Sequence, residues 1–124
     1  MFSTGEAMGR VLDGQGVTPK TTKTTWNGTL APYEAYIRLN LATGTTVGTI
    51  LTDGDPRPGR RLTIEVLAGS GTLTLTHTAL SSQASGKIFA NNSGSNRTVA
   101  ASATVTLMQL GTGTWIETGY LAQS

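Results

Sequence analysis

The chain of 124 residues has no cysteine, one histidine and few charges. Without cysteine there is no disulfide, no thiolate nucleophile and none of the usual structural zinc sites. The lone His77 cannot be joined by further imidazoles in a metal site, and no G-x-S-x-G elbow accompanies it as the base of a hydrolase triad. Charged residues make up 13% of the chain, about half the ~25% usual in soluble domains. The net charge is only +2, with scattered bases. Arg57, Arg60 and Arg61 form the one local cluster, where a nucleic-acid binder carries a denser basic stripe with interleaved aromatics. No nucleic-acid partner is expected. No apolar run approaches the ~20 residues that span a bilayer. The segment Met1-Phe2-Ser3-Thr4-Gly5-Glu6 lacks the basic and apolar regions of a secretory signal. Neither a membrane nor a cofactor is expected.

Threonine, serine, glycine and asparagine fill the gap left by charge, giving a polar but largely uncharged surface. Residues 1–20 contain Gly5, Gly9, Gly14, Gly16 and Pro19 among isolated apolar residues. Glycine is costly in a helix interior, so this stretch reads as an extended N-terminal arm. Its apolar side chains Phe2, Met8, Val11 and Leu12 are the candidates to bury against a partner.

Residues 21–124 read as a single β-domain. Thr21 to Trp26 is β-branched and ends at the turn dipeptide Asn27-Gly28. Tyr36 to Leu41 alternates, with Ile37, Leu39 and Leu41 on one face. Thr45 to Leu51 is a further β-rich run, and the Pro- and Gly-rich stretch from Asp53 to Gly59 is a loop. Arg61 to Val66 and Thr72 to His77 alternate on either side of Gly69-Ser70-Gly71, the pattern of a hairpin. Lys87 to Ala90 is a short strand, and Asn91 to Asn96 is a polar turn. Ala101, Ala103, Val105 and Leu107 share one face of the next strand. Thr114 to Glu117 is the last strand, and Tyr120 to Ser124 reads as an exposed tail.

About seven to nine short strands with turn signals every ~8–12 residues predict an all-β fold. The expected form is a compact antiparallel β-sandwich or barrel, jelly-roll-like, because no helix is available for a parallel crossover.

Catalytic patterns are sparse. Asp53 and Asp55 flank Gly54 but lack the oxygen-ligand series of a calcium loop. The seven acids of the chain show no placed carboxylate pair for glycoside hydrolysis. Trp26 and Trp115 each lie beside a glycine turn. They read either as plugs for the ends of the core or as exposed platforms for a sugar ring. His77 shares the parity of Leu73 and Leu75 and reads as a strand-end or interface histidine. The chain is expected not to be an enzyme.

Several stretches carry a family resemblance: Arg61-Leu62-Thr63-Ile64, Gly69-Ser70-Gly71-Thr72-Leu73-Thr74-Leu75-Thr76-His77, Val105-Thr106-Leu107-Met108, and Gly111-Thr112-Gly113-Thr114-Trp115. Together they resemble the small β-modules of tailed-bacteriophage virions found in tail fibres, head fibres and capsid decoration (cement) proteins. The resemblance covers a little under half the chain. A short chain with an arm ahead of its β-domain looks more like a decoration protein than a fibre. The resemblance implies a homotrimer on the capsid exterior, an arm gripping the major capsid protein, and no catalytic or metal residue. The alternative it implies is a receptor-binding or tail-tip module recognising host surface glycans.

Overall fold

A computed structural model describes residues 22–32, 34–52 and 55–122. The expected arm, with Phe2, Met8, Val11 and Leu12, lies outside these residues. The described chain is all-β, with eleven strands and one 3₁₀ turn at Leu80–Ser82. The strands are β1 (Thr22–Lys23), β2 (Thr29–Leu30), β3 (Tyr36–Leu39), β4 (Thr45–Val47), β5 (Leu51–Thr52), β6 (Arg61–Val66), β7 (Leu73–Leu75), β8 (Ile88–Phe89), β9 (Arg97–Val99), β10 (Thr104–Gln109) and β11 (Trp115–Leu121).

They form three sheets: β1-β3-β6-β10-β11-β8, β4-β7-β9 and β2-β5. The expectation of an antiparallel sandwich is corrected here, because the sheets are mixed. The pairs β1/β3, β3/β6, β2/β5, β4/β7 and β11/β8 are parallel. Only β6/β10, β10/β11 and β7/β9 are antiparallel.

The parallel pairs have a common origin. The chain visits the three sheets in the order β2, β3, β4 and then repeats the circuit as β5, β6, β7. Each strand of the second circuit lies beside its counterpart in the first: Thr29 opposite Leu51, Ile37 opposite Ile64, Thr45 opposite Leu73. A parallel crossover needs a dozen or more residues, and a helix is the usual filler. Here the filler is two strands that belong to the other sheets. The result is two stacked rungs of a coil, closed on the second-rung side by the antiparallel strands β9 and β10.

The expected hairpin at Gly69-Ser70-Gly71 is corrected by the same observation. β6 and β7 both alternate, but they lie in different sheets and do not pair. The glycine-rich link is a corner of the second rung stacked on the matching corner of the first. The Gly71 N–H donates to the Leu41 carbonyl at 2.9 Å, and the Leu41 N–H donates to Ser70 Oγ at 2.8 Å. A Cβ on Gly71 would lie 2.7 Å from the Thr43 carbonyl carbon, so the corners meet only because a side chain is missing. The run Thr45 to Leu51 likewise divides, turning a corner between β4 and β5.

The core fills the space inside the coil. It draws Leu62, Ile64, Val66, Val105 and Leu107 from the large sheet, Val47, Leu73, Leu75 and Val99 from the three-stranded sheet, and Leu30 from the smallest. Period-two alternation is obeyed along β6 and β10, so the inward residues of each strand are the ones that disappear from solvent. The expected tail is corrected in part: β11 runs to Leu121 and Tyr120 packs against the core, while Leu121 and Ala122 are exposed as expected.

The rung contact at Gly28 should be the most sensitive to substitution. Its φ is +98°, and a Cβ there would lie 2.1 Å from the Thr49 carbonyl oxygen. Gly28→Ala combines left-handed strain with a backbone clash and is expected to cost at least about 3 kcal/mol. Gly59→Ala, at φ +85° with nothing within 4 Å of the new carbon, should cost only ~1 kcal/mol. Urea denaturation of the two variants checks the difference.

Candidate functional site

Strand β1 is the edge of the six-stranded sheet and the point where residues 1–21 join the described domain. It is held from one side by parallel pairing, Thr22 with Arg38 and Lys23 with Leu39. The Asn40 N–H adds a bond to the Lys23 carbonyl at 2.8 Å. The Lys23 ammonium meets Glu34 Oε2 at 2.9 Å, and Glu34 Oε1 accepts the Ala31 N–H. Burial opposes ionisation of Glu34, but Lys23, the Ala31 N–H and the charge of Arg60 outweigh it. The carboxyl is thereby held below its ordinary value. One short strand, one ion pair and one backbone bond therefore anchor the point of attachment.

Beyond β1 the chain crosses the first-rung end of the coil. A cleft of ≈ 610 Å³ there is lined by Thr22 to Asn27, Thr29 and Thr45. Trp26 plugs the end from inside, 6% exposed, and its indole N–H donates to the Thr29 carbonyl at 2.9 Å. The Thr29 N–H donates to Asn27 Oδ1 at 3.1 Å. Both main-chain groups of Thr29 are thus met by side chains from the preceding turn. Trp115 is fully buried, and its indole N–H donates to the Ile50 carbonyl at 3.2 Å. Neither tryptophan presents a face to a sugar ring.

Arg97 and Glu117 form the most buried ion pair among the described residues. The guanidinium bonds both carboxylate oxygens, with contacts of 3.0, 3.1 and 2.8 Å. It also lies 4.2 Å from the centre of the Tyr120 ring. The pair ties β9 of one sheet to β11 of another and has no open side for a substrate. Sequence reading missed it, because the two residues meet only through the tertiary fold. The one available signal was an acid at an inward-facing position of a strand.

The other polar candidates are also occupied. His77 is half-buried, tilted against Phe89 with ring centres 5.0 Å apart, and its Nδ1 accepts the Ala90 N–H at 3.1 Å. It serves the junction between β7 and β8. Arg57 and Arg60 donate to the carbonyls of Pro32, Ala31 and Glu34, so two members of the basic cluster fasten loops together. Burial and the neighbouring Arg57 charge lower the Arg60 pKa, with Glu34 opposing. Glu65 accepts from the Tyr36 hydroxyl at 2.7 Å and faces Arg38 Nε at 3.5 Å. Asp55 is exposed, and Asp53 lies outside the described residues. Among the described residues no three His, Cys, Asp or Glu side chains gather as a metal site.

Comparison with known proteins finds no matching family model, no similar curated protein and no similar solved structure.

Two expected outcomes test this account. Arg97→Met leaves the Glu117 carboxylate buried without its partner and should cost about 3–5 kcal/mol. Arg97→Met with Glu117→Leu should recover most of that loss in a double-mutant cycle read by thermal or urea unfolding. The Lys23–Glu34 anchor should show a definite pH dependence. A depressed carboxyl pKa contributes stability that is complete above its ordinary value of 4.5 and is lost as pH falls through the lower folded value. The protection of the β1 amides, taken relative to intrinsic exchange at each pH, should therefore fall on acidification below about pH 4.5, and Glu34→Gln should remove that dependence.

Proposed function

We propose that this chain is a capsid decoration protein of a tailed bacteriophage, acting by binding and not by catalysis. The observation that carries this reading is the placement of β1. Residues 1–21 join the β-domain at an edge strand of its largest sheet, so a partner-binding arm would leave directly from a surface able to face another subunit. The polar, weakly charged composition suits close packing of many copies. Of the four described carboxylates, Glu34, Glu65 and Glu117 are engaged with basic side chains, and the fourth, Asp55, is exposed.

In this reading the β-domain stands on the outer face of the assembled shell as a homotrimer, and each arm grips the major capsid protein. Phe2, Met8, Val11 and Leu12 supply its apolar contacts, and strand addition to a capsid sheet edge supplies main-chain bonds. Three arms per trimer make attachment multivalent, so weak individual contacts sum to tight binding. Binding that favours the assembled shell over its competitors stabilises it by mass action. The alternative, a tail-tip module for host glycans, loses its two aromatic platforms because Trp26 and Trp115 are buried.

The experiment has two parts. Quantitative mass spectrometry of purified virions should give hundreds of copies per particle, and a handful would place the protein on the tail instead. Deleting residues 1–20 should leave a folded domain that no longer binds shells. Retained decoration by that variant would overturn the arm's role.

A further inference from the structure

Of the edges of β2, β4, β8 and β9, that of β4 alone carries neither a capping contact nor a charge among the described residues. β2 has its Thr29 main-chain groups met by Asn27 and Trp26. β8 is bridged on its outer side by His77, and its Ile88 carbonyl accepts the Thr78 N–H. On β9, Arg97 places a charge on the strand. β4 has none of this. Among the described residues it pairs only with β7, through Thr45 and Val47: the Thr45 N–H donates to the Thr72 carbonyl at 2.9 Å, and the Val47 carbonyl accepts the Thr76 N–H at 3.0 Å. Alternation along a strand turns the Thr46 N–H and C=O to the opposite side, away from β7.

Gly44, Thr46 and Gly48 are all exposed. The edge Gly44-Thr45-Thr46-Val47-Gly48 carries no charge, no proline and no bulge, the usual devices that keep such an edge from pairing. Thr45 also lines the cleft at the first-rung end, together with Thr22.

We infer that the β4 edge is a strand-docking site, and that its occupant in the free protein is the segment preceding Thr22 of the same chain. The occupant is chosen by where that segment attaches and by its length. It joins the domain at Thr22, on the wall of the cleft that Thr45 also lines. Its 21 residues reach about 70 Å when extended, which is ample to turn back and lie along a three-residue strand. The two acids and two bases of the segment, Glu6, Asp13, Arg10 and Lys20, cancel, so it meets the uncharged edge without net charge. Paired there, it gives the Thr46 amide and carbonyl their missing partners. The inference stands without the decoration reading. If both hold, the capsid edge competes with β4 for the same segment.

The test is amide hydrogen exchange of the full chain by NMR, read at Thr46, against a variant lacking residues 1–20. The expected result is Thr46 protected at least tenfold in the full chain and exchanging freely in the deletion variant. Equal exchange in both overturns the proposal, whether both are protected or both free. Protection that grows with protein concentration also overturns it, because a second copy is then the occupant. Thr46→Pro provides an independent arm, removing the outward N–H while sparing the bonds to β7. It should speed tryptic cleavage after Arg10 and Lys20 at least tenfold, while Thr46→Ala leaves the rate unchanged. No difference between these two variants, with the core NMR spectrum intact in both, would count equally against the docking site.

Discussion

Everything in this molecule depends on how closely one rung of the coil can approach the next. At the corners the spacing is set by main chain against main chain, with Gly71 over Thr43 and Gly28 against Thr49. A side chain at either point would hold the rungs apart, and the ladders β2/β5, β3/β6 and β4/β7 would lose register together. Glycine's conformational freedom is ordinarily a cost in ordered structure. At these two points its lack of a Cβ lets three separate sheets share one core.

Given that spacing, the buried polar groups fall into place. Trp26 and Trp115 fill the coil and each spends its indole N–H on a main-chain carbonyl, at Thr29 and Ile50. A buried indole left without a partner would lose the full desolvation cost of that group. Arg97 and Glu117 do the same on a larger scale, neutralising each other between two sheets. Such a pair adds little net stability over well-packed apolar residues, but removing one partner is expensive. Its value here is in fixing β9 relative to β11.

Much of the β-structure was legible in the residues. The alternation in Tyr36–Leu39, Arg61–Val66 and Thr104–Gln109 correctly marks which side chains face the core, because period two is a local property of a strand. Pairing was not legible. The alternating runs at Arg61–Val66 and Leu73–Leu75 look like a hairpin, yet the second belongs beside Thr45–Val47. A short Gly-Ser-Gly link permits a reversal or a corner equally well, and the choice is made by a contact with residues far back in the chain. The open edge of β4 was hidden for the same reason: a strand's outward amides are known only once its neighbours are. Trp26 and Trp115 were singled out in sequence, and the structure places both inside.

The way the N-terminal segment is attached has a mechanical consequence. Once residues 1–21 are drawn clear of β4, a tension on them enters the domain at β1, a ladder of only two residue pairs backed by the Lys23–Glu34 bridge. That junction should give way before the coil does, paying out Thr22 to Thr25 as slack. The load then arrives at Trp26, seated in the end of the coil and bonded to Thr29. A two-pair ladder thus lies in series with a buried indole, so a sharp pull at Thr22 would be absorbed by a short, reversible peel rather than by loss of the fold.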